Sequence, residues 1–135
     1  MKAFQVYLNF DGNCREAMTF YQQSLGAEME MQTFGDVKME GPPGSENRVM
    51  HARLTKGNAI LMASDSMPGH PFSQGNNFSV NIDCDTTDEL EQYFSALSAG
   101  GKVGMPPQDT FWGARFGMLT DKFGVNWMLN CELKK

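Results

Sequence analysis

A chain of 135 residues is long enough for one domain with its own core, without disulfides or metals to hold it together. The formal net charge of −5 argues against non-specific nucleic-acid binding, and no apolar run is long enough to span a bilayer. The three cysteines, Cys14, Cys84 and Cys131, are odd in number and far apart, so they indicate neither a disulfide framework nor a zinc site, and a reducing cytoplasm is expected.

The first half of the chain predicts a strand, a helix and three further strands. F-Q-V-Y-L-N-F-D at 4–11 alternates apolar and polar side chains, which is the period of a half-buried strand. The helix is expected to begin near Asn13 and to end at Gly26. The three strand candidates that follow lie at 29–34, 48–55 and 58–63.

The second half repeats this order. N-N-F-S-V-N-I-D at 76–83 matches the first strand at an offset of 72 residues, the separation of Asn9 and Asn81. A second helix begins at Thr86 or Thr87 and ends at Gly100, and strand candidates follow near 102–105, at 113–120 and at 125–130. The repeat predicts an α+β fold of two tandem β-α-β-β-β modules within a single domain, 1–135, with modules at about 1–64 and 76–132 and a Pro/Gly/Ser-rich linker at about 65–75.

Alternation also assigns the strand residues to two faces. The apolar residues of the two first strands, Phe4 and Phe78 among them, are expected to pack against the helices. The polar residues then line the opposite, helix-free face. In the last strand, Trp127 is assigned to the core and Met128 to the helix-free face. Side by side, the modules would form one curved mixed sheet with a cup on the helix-free face. Because antiparallel sheets often have one solvated face, alternation alone leaves a binding cup and an ordinary wet face equally open.

Several motifs connect the chain to a known group. The paired modules, a helix ending in F-Y-x-x-x-L-G at 20–26 and a closing D-x-x-G-x-x-x-x-L strand at 121–129 resemble the vicinal oxygen chelate superfamily, which includes glyoxalase I, extradiol dioxygenases and bleomycin-resistance proteins. Within it the chain looks most like the PhnB-like subgroup, on Y-L-N-F-D-G-N-C, H-A-R-L, L-M-A-S-D-S-M-P, D-T-F-W and T-D-K-F-G-V-N-W-M-L-N. The resemblance implies a glyoxalase/bleomycin-resistance-type fold and a homodimer. Some members of the subgroup carry a demethylubiquinone methyltransferase label, but the chain has no glycine-rich strand-to-helix loop for S-adenosylmethionine.

The resemblance also implies where a metal would be held. Metal-dependent members bind a divalent cation with four side chains, on the first and last strand of each module. Aligning the strands, and counting four residues on from the turn glycines for the last strands, puts these positions at Gln5, Leu61, Asn77 and Met128. Leu61 has no donor atom, Asn77 is short and neutral, and the Met128 thioether suits Cu(I) better than Mg, Mn, Ni or Zn. No metal and no other cofactor is therefore expected.

His51 is the candidate catalytic residue. Its strand alternates so that His51 and Arg53 should face the cup, where His51 could be a proton donor, a base or, beside Arg53, an anchor for an anionic ligand. A histidine that is simply hydrogen-bonded within the strand is the alternative. Trp112, with Phe111, could stack on a planar ligand or pack in a core or dimer interface.

The leading hypothesis is a small-molecule binding protein without a catalytic metal. Its ligand-binding residues are predicted to be Gln5, Tyr7, Asn9, His51, Arg53, Leu61, Asn77, Ser79, Trp112 and Met128. One alternative is a metal-dependent or His51-dependent lyase, isomerase or oxygenase of the same superfamily. The other is a structural protein whose cup is only a solvated sheet face. Neither nucleic acid nor membrane is expected as a partner.

Overall fold

The chain builds two compact units of the same design. A computed structural model describes residues 1–38 and 41–133 and divides the chain into Met1–Ser73 and Gln74–Lys135. The first unit contains β1 (Val6–Phe10), α1 (Cys14–Leu25), β2 (Glu28–Thr33), β3 (Val49–Lys56) and β4 (Ala59–Asp65). The second contains β5 (Val80–Asp83), α2 (Thr87–Ser98), β6 (Lys102–Asp109), β7 (Ala114–Thr120) and β8 (Asn126–Glu132). The predicted α+β class and the two β-α-β-β-β modules are confirmed.

Each unit forms its own four-stranded mixed sheet. The strand order is β1-β4-β3-β2 in the first unit and β5-β8-β7-β6 in the second. The first and last strands of each unit pair in parallel, and the other pairs are antiparallel. Within the described ranges, neither helix is long and apolar enough to cross a membrane.

One face of the first sheet packs against α1. Leu8, Ala63 and Ala52 lie directly opposite one another on neighbouring strands, and all three are buried. Met18 and Tyr21 of the helix are fully buried as well. Because successive side chains of a strand point to opposite faces, the residues between the buried ones face away from the helix.

The second sheet is arranged in the same way against α2. Val80, Trp127 and Leu119 form the corresponding buried row across three strands. Gly117 marks the helix side of β7, since a Cβ there would come within 2.8 Å of the Phe94 ring of α2. The close approach of α2 therefore requires a residue without a side chain at this position.

A buried carboxylate organises the turn before β8. Asp121 is 3% exposed, and its Oδ1 accepts hydrogen bonds from the backbone N–H groups of Phe123 and Val125 at 2.8 and 3.0 Å. The Trp127 indole Nε1–H donates to Asp121 Oδ2 at 2.8 Å. The turn and the largest core side chain of the unit are thus joined through one residue, Asp121.

Both first strands begin later than alternation predicts. β1 starts at Val6 and β5 at Val80, so Phe4 and Phe78 are 92% and 53% exposed instead of packing against the helices. Val6 lies opposite Leu61, and the same register would bring Phe4 level with Ala59, the first residue of β4. The apolar alternation therefore extends further toward the N-terminal end of each first strand than the region in which those side chains are buried.

Candidate functional site

The helix-free face of the first sheet, called its open face below, combines polar and aromatic side chains. One row crosses all four strands, because Tyr7 lies opposite Met62, Met62 opposite Arg53, and Arg53 opposite Glu30. In the next row Asn9 lies opposite Ser64, and His51 lies opposite Gln32. Tyr7 is 42% exposed, and Arg53 is also exposed. No ion pair involves Arg53 in the part of the chain that the structure describes.

Tyr7 and His51 meet on this face. The Tyr7 hydroxyl lies 3.1 Å from His51 Nδ1, and the two ring centroids are 5.7 Å apart. The phenol donates when Nδ1 is unprotonated, and Nδ1–H donates to the phenol oxygen in the other tautomer or in the imidazolium. In either case the hydrogen bond holds one edge of the imidazole. His51 Nε2 has no hydrogen-bond partner among the described residues, so it is the ring nitrogen available to a ligand.

The predicted site residues of the first unit are only partly brought together. Tyr7, Asn9, His51 and Arg53 share the open face, as alternation predicts. Gln5 is exposed and lies just before β1. The grouping of these residues with those of the second unit in one cup stays a prediction.

Leu61 requires a correction. It is 8% exposed and lies opposite Val6 and Leu54, so it belongs to the buried face and not to the open one. The position equivalent to Met128 is occupied by Ser64, because Asn9 pairs with Ser64 as its counterpart 72 residues later pairs with Met128.

The difference lies in the register between the first and last strands. In both units the last strand begins two residues after the turn glycine, at Ala59 and at Asn126. Asn9, however, lies opposite Ser64, seven residues after Gly57, whereas Asn81 lies opposite Met128, four residues after Gly124. Counting from the turn glycine therefore stops three residues short in the first unit.

The open face of the second sheet is more apolar. Four residues form one row across it, with Asn81 opposite Met128, Met128 opposite Met118, and Met118 opposite Met105. Met118 is 38% exposed, and Met105 and Met128 are partly buried. The next row contains Asp83, Asn130, Phe116 and Gln108.

An aromatic cluster lies beside these rows. Trp112 packs edge-on against Phe116, with 5.8 Å between ring centroids, and Phe111 packs against Trp112 at 5.1 Å. Trp112 is 54% exposed and Phe111 is 97% exposed, at the turn that joins β6 and β7. Through Phe116, the predicted residue Trp112 is thus connected to the open face. The other predicted residues of this unit are Met128, which lies on the open face, and Asn77 and Ser79, which are exposed and precede β5.

Sequence reasoning missed part of this surface. Phe116 and Met118 alternate with Gly117 and Leu119 in G-A-R-F-G-M-L-T, so alternation alone could have assigned them to the open face. Met105 could not be placed in this way, because β6 is irregular on both sides of it. Arg115 lies on the helix side, where it contacts Asp109 at 2.9 Å and Glu91 of α2 at 3.5 Å.

Two of the three cysteine thiols have low reactivity at neutral pH. Burial raises the pKa of Cys14 to about 12, with a smaller contribution from the nearby Asp65 carboxylate. Burial also raises the pKa of Cys84 to about 12, and Glu89 adds to this effect. Both thiols stay protonated at neutral pH, so neither is a good nucleophile or thiolate ligand.

A cavity of about 460 Å³ lies at the N-terminus of α1, lined in part by Asn13, Arg15 and Asn47. Its buried polar group is Asp65, which already accepts backbone hydrogen bonds from Gly12, Cys14 and Val49 at 2.8 to 3.0 Å. This carboxylate ties the start of the helix to β3 and β4, so it has a structural role and is not available to a ligand.

Comparisons with known proteins agree with the fold. The model of one protein family, described as 3-demethylubiquinone-9 3-methyltransferase, matches residues 2–130. The chain belongs to this family. Protein YjdN of Escherichia coli (strain K12) is 36% identical to this PhnB-like chain, and the alignment covers 92% of this chain and 91% of that protein.

Solved structures extend the comparison. Protein PA1353 of Pseudomonas aeruginosa shares 44% identity with a TM-score of 0.84, over 98% of this chain and 100% of that one. A putative 3-demethylubiquinone-9 3-methyltransferase, PhnB protein, of Bacillus cereus shares 30% identity with a TM-score of 0.77, over 96% and 99% of the two chains. A glyoxalase/bleomycin resistance protein/dioxygenase family enzyme of Burkholderia phytofirmans, at 19% identity and a TM-score of 0.66 over 97% and 100%, shares the fold. The predicted superfamily resemblance is confirmed.

The cofactor that the family description implies, S-adenosylmethionine, does not fit the strand-to-helix connections. Gly12 is the only glycine between β1 and α1. A Cβ there would come within 3.0 Å of Arg48 Nη1, so the space beside this turn is filled by the Arg48 guanidinium. The connection between β5 and α2 contains no glycine. Neither turn offers the exposed glycine backbone by which such loops approach a nucleotide.

The divalent metal of the superfamily does not fit either. The equivalent open-face pairs between first and last strands are Asn9 with Ser64 in one unit and Asn81 with Met128 in the other. Amides, a hydroxyl and a thioether supply no charge to balance a dication. Within residues 1–38 and 41–133, His, Cys, Asp and Glu form no group of three or more that could hold an ion.

Proposed function

We propose that this PhnB-like protein binds a small molecule on the open faces of its sheets and uses no divalent metal to do so. One observation carries the proposal. The open face of the second sheet holds Met118, which is 38% exposed, between Phe116 and Met128, where a solvated sheet face would carry polar residues. Apolar surface left open to water has a cost of about 25 cal/mol per Å², so it is retained where a ligand covers it.

The surroundings of the methionines support a ligand with an apolar, planar body and one polar group. Trp112 and Phe116 offer ring edges and faces for stacking. Asn126 accepts a hydrogen bond from the Thr120 hydroxyl at 2.7 Å, and Asn130 donates one to the Asp83 carboxylate at 3.3 Å. Asn81, beside Met128, has no such partner among the described residues and supplies the free amide for recognition.

On the first sheet, Tyr7, His51 and Arg53 favour a polar or anionic group. Arg53 provides a permanent charge, and the Tyr7–His51 hydrogen bond orients the imidazole. Asn9 lies in the same row as Ser64, within the same face. Gln5, Asn77 and Ser79 remain predicted contacts, a homodimer remains the expected assembly, and the cytoplasm remains the expected location.

A screen of ligands by thermal stability tests the proposal. Purified protein is heated with a panel of aromatic metabolites, and separately with Mn, Ni, Zn and Fe. Ligands that raise Tm should lose this effect in Met118→Ser. Val103→Ser is the matched control, because Val103 is 49% exposed on the neighbouring strand but lies opposite the buried Leu119. Stabilisation that depends on a divalent metal, with an activity abolished by chelation, would overturn the metal-free proposal.

A second candidate function is that of a lyase, isomerase or oxygenase in which His51 carries out acid–base catalysis. The hydrogen bond between the Tyr7 hydroxyl and His51 Nδ1, which leaves Nε2 to face a ligand, is the observation that favours it. His51→Gln keeps hydrogen-bonding capacity but cannot transfer a proton at neutral pH. Turnover of a substrate found in the screen should fall at least a hundredfold in this variant, and retained turnover would remove His51 from the mechanism.

A further inference from the structure

Three methionines pair with one another across the second sheet. Met105, Met118 and Met128 are on three adjacent strands, and each is directly opposite the next. Cross-strand partners point to the same face of a sheet and have Cα atoms about 4.5–5.5 Å apart. Of the 11 methionines in the chain, these three form a continuous row across neighbouring strands.

From this row we infer a binding site for a soft monovalent cation, Cu(I), held by the sulfur atoms of Met105, Met118 and Met128. The methionine side chain is unbranched and has three rotatable bonds, so the two outer thioethers can lean toward the central one. Thioether sulfur is a soft ligand that selects Cu(I) over Mg, Mn or Zn. The site is independent of the proposed small-molecule function, although it shares the same face.

Charge and access suit a monovalent ion. Three neutral ligands leave the full ionic charge uncompensated, and this is less costly for one charge than for two. Met118, at the centre of the row, is 38% exposed, so an ion can reach the sulfur atoms directly from solvent. Asn81, opposite Met128, places an amide oxygen at the end of the row, where it can orient toward the cation.

The thiols of the same unit are buried, which limits their access to an ion in solution. Cys84 and Cys131 are 6% and 2% exposed. Burial raises the pKa of Cys84 to about 12, so the thiolate that would capture a soft metal is scarce at neutral pH. The methionine row is the accessible soft-ligand cluster on this sheet.

Silver provides a redox-inert probe of the site. The full-length protein, labelled with 13C at the methionine methyl groups, is titrated with Ag(I) and followed by NMR. At one equivalent, the methyl resonances of Met105, Met118 and Met128 should shift, and that of Met62 should not. Met62 is the matched control, since it lies on the other open face with Tyr7 and Arg53 as its neighbours.

Leucine substitutions separate coordination from packing. Met118→Leu and the double variant Met118→Leu/Met128→Leu keep the apolar volume but remove the sulfur. Ag(I) affinity should fall at least tenfold in the first and further in the second, whereas Met62→Leu should match the wild type. Unchanged affinity in the double variant, or silver bound by cysteine thiols only, would overturn the inference. The silver titration contains no organic ligand, so loss of silver binding and failure of the small-molecule proposal are distinguishable.

Discussion

Tyr7 and His51 are joined across an intervening strand. Tyr7 belongs to β1 and His51 to β3, with β4 between them, yet the phenol oxygen lies 3.1 Å from His51 Nδ1. Both side chains therefore lean toward each other over the open face. The hydrogen bond links the strand that carries the candidate catalytic histidine to the first strand of the unit.

Replacing Tyr7 by Phe should release the imidazole. Without the phenol, Nδ1 of His51 loses its hydrogen-bond partner and the balance of ring tautomers should change. Nitrogen chemical shifts of His51 in 15N-labelled protein measure this balance. Asn9→Ser, on the same face but without a hydrogen bond to His51, is the control. Identical shifts in wild type and Tyr7→Phe would show that the hydrogen bond does not persist in solution.

The buried Asp121 should be important for stability. Asn at this position keeps one acceptor oxygen, but it adds an amide NH₂ in a place where both carboxylate oxygens accept hydrogen bonds. Because a buried donor without a partner is costly, Asp121→Asn should lower the free energy of unfolding by about 2–4 kcal/mol. Urea denaturation measures the loss. Asp85→Asn, at an exposed site whose side chain makes no hydrogen bond within the described residues, should stay within about 0.5 kcal/mol of wild type.

Gly117 should tolerate no side chain. A Cβ there would lie 2.8 Å from Phe94 Cε2, so Gly117→Ala should destabilise the protein by about 1–3 kcal/mol. At Gly104 the nearest atom to a new Cβ is 3.6 Å away, and Ala should be accepted there with little change in Tm. In the double variant Gly117→Ala/Phe94→Leu the two losses should be less than additive, because the smaller side chain removes the clash. Full additivity would contradict this account.

Stability should fall at alkaline pH through the buried thiols. The pKa of Cys14 and of Cys84 rises from 9.0 to about 12 in the folded chain. Between these values the unfolded thiol loses its proton while the folded thiol keeps it, so the unfolded state binds fewer protons and the free energy of unfolding decreases as pH rises. The slope should approach 1.4 kcal/mol per pH unit for each thiol, with the full contribution present below about pH 9.

Denaturation between pH 8 and 10.5 measures this slope. Cys84→Ala removes one of the two thiols, so its stability should decline less steeply than that of the wild type, whatever its value at neutral pH. Slow reaction of the native protein with a thiol reagent at pH 8, and fast reaction in urea, would be the matching kinetic result. Parallel pH curves for wild type and Cys84→Ala would contradict the assignment.

The sequence by itself determined the architecture. Alternation and the 72-residue repeat are local properties of the chain, and they correctly predicted two β-α-β-β-β modules and the faces of Tyr7, Asn9, His51 and Arg53. A period of two is imposed by strand geometry, so it can be recognised without knowing the partner strands. The same rule identified Trp127 as core and Met128 as open face, one residue apart.

Only the tertiary structure decided which residues meet. Leu61 was placed wrongly because the register between the first and last strands differs by three residues between the two units, and Ser64 holds the position instead. Phe4 alternates like a core residue but lies beyond the cover of the helix. The Tyr7–His51 contact and the row of Met105, Met118 and Met128 depend on strand order and register. Both are set by pairing between segments distant in the chain, and this pairing leaves no periodic trace in any one segment.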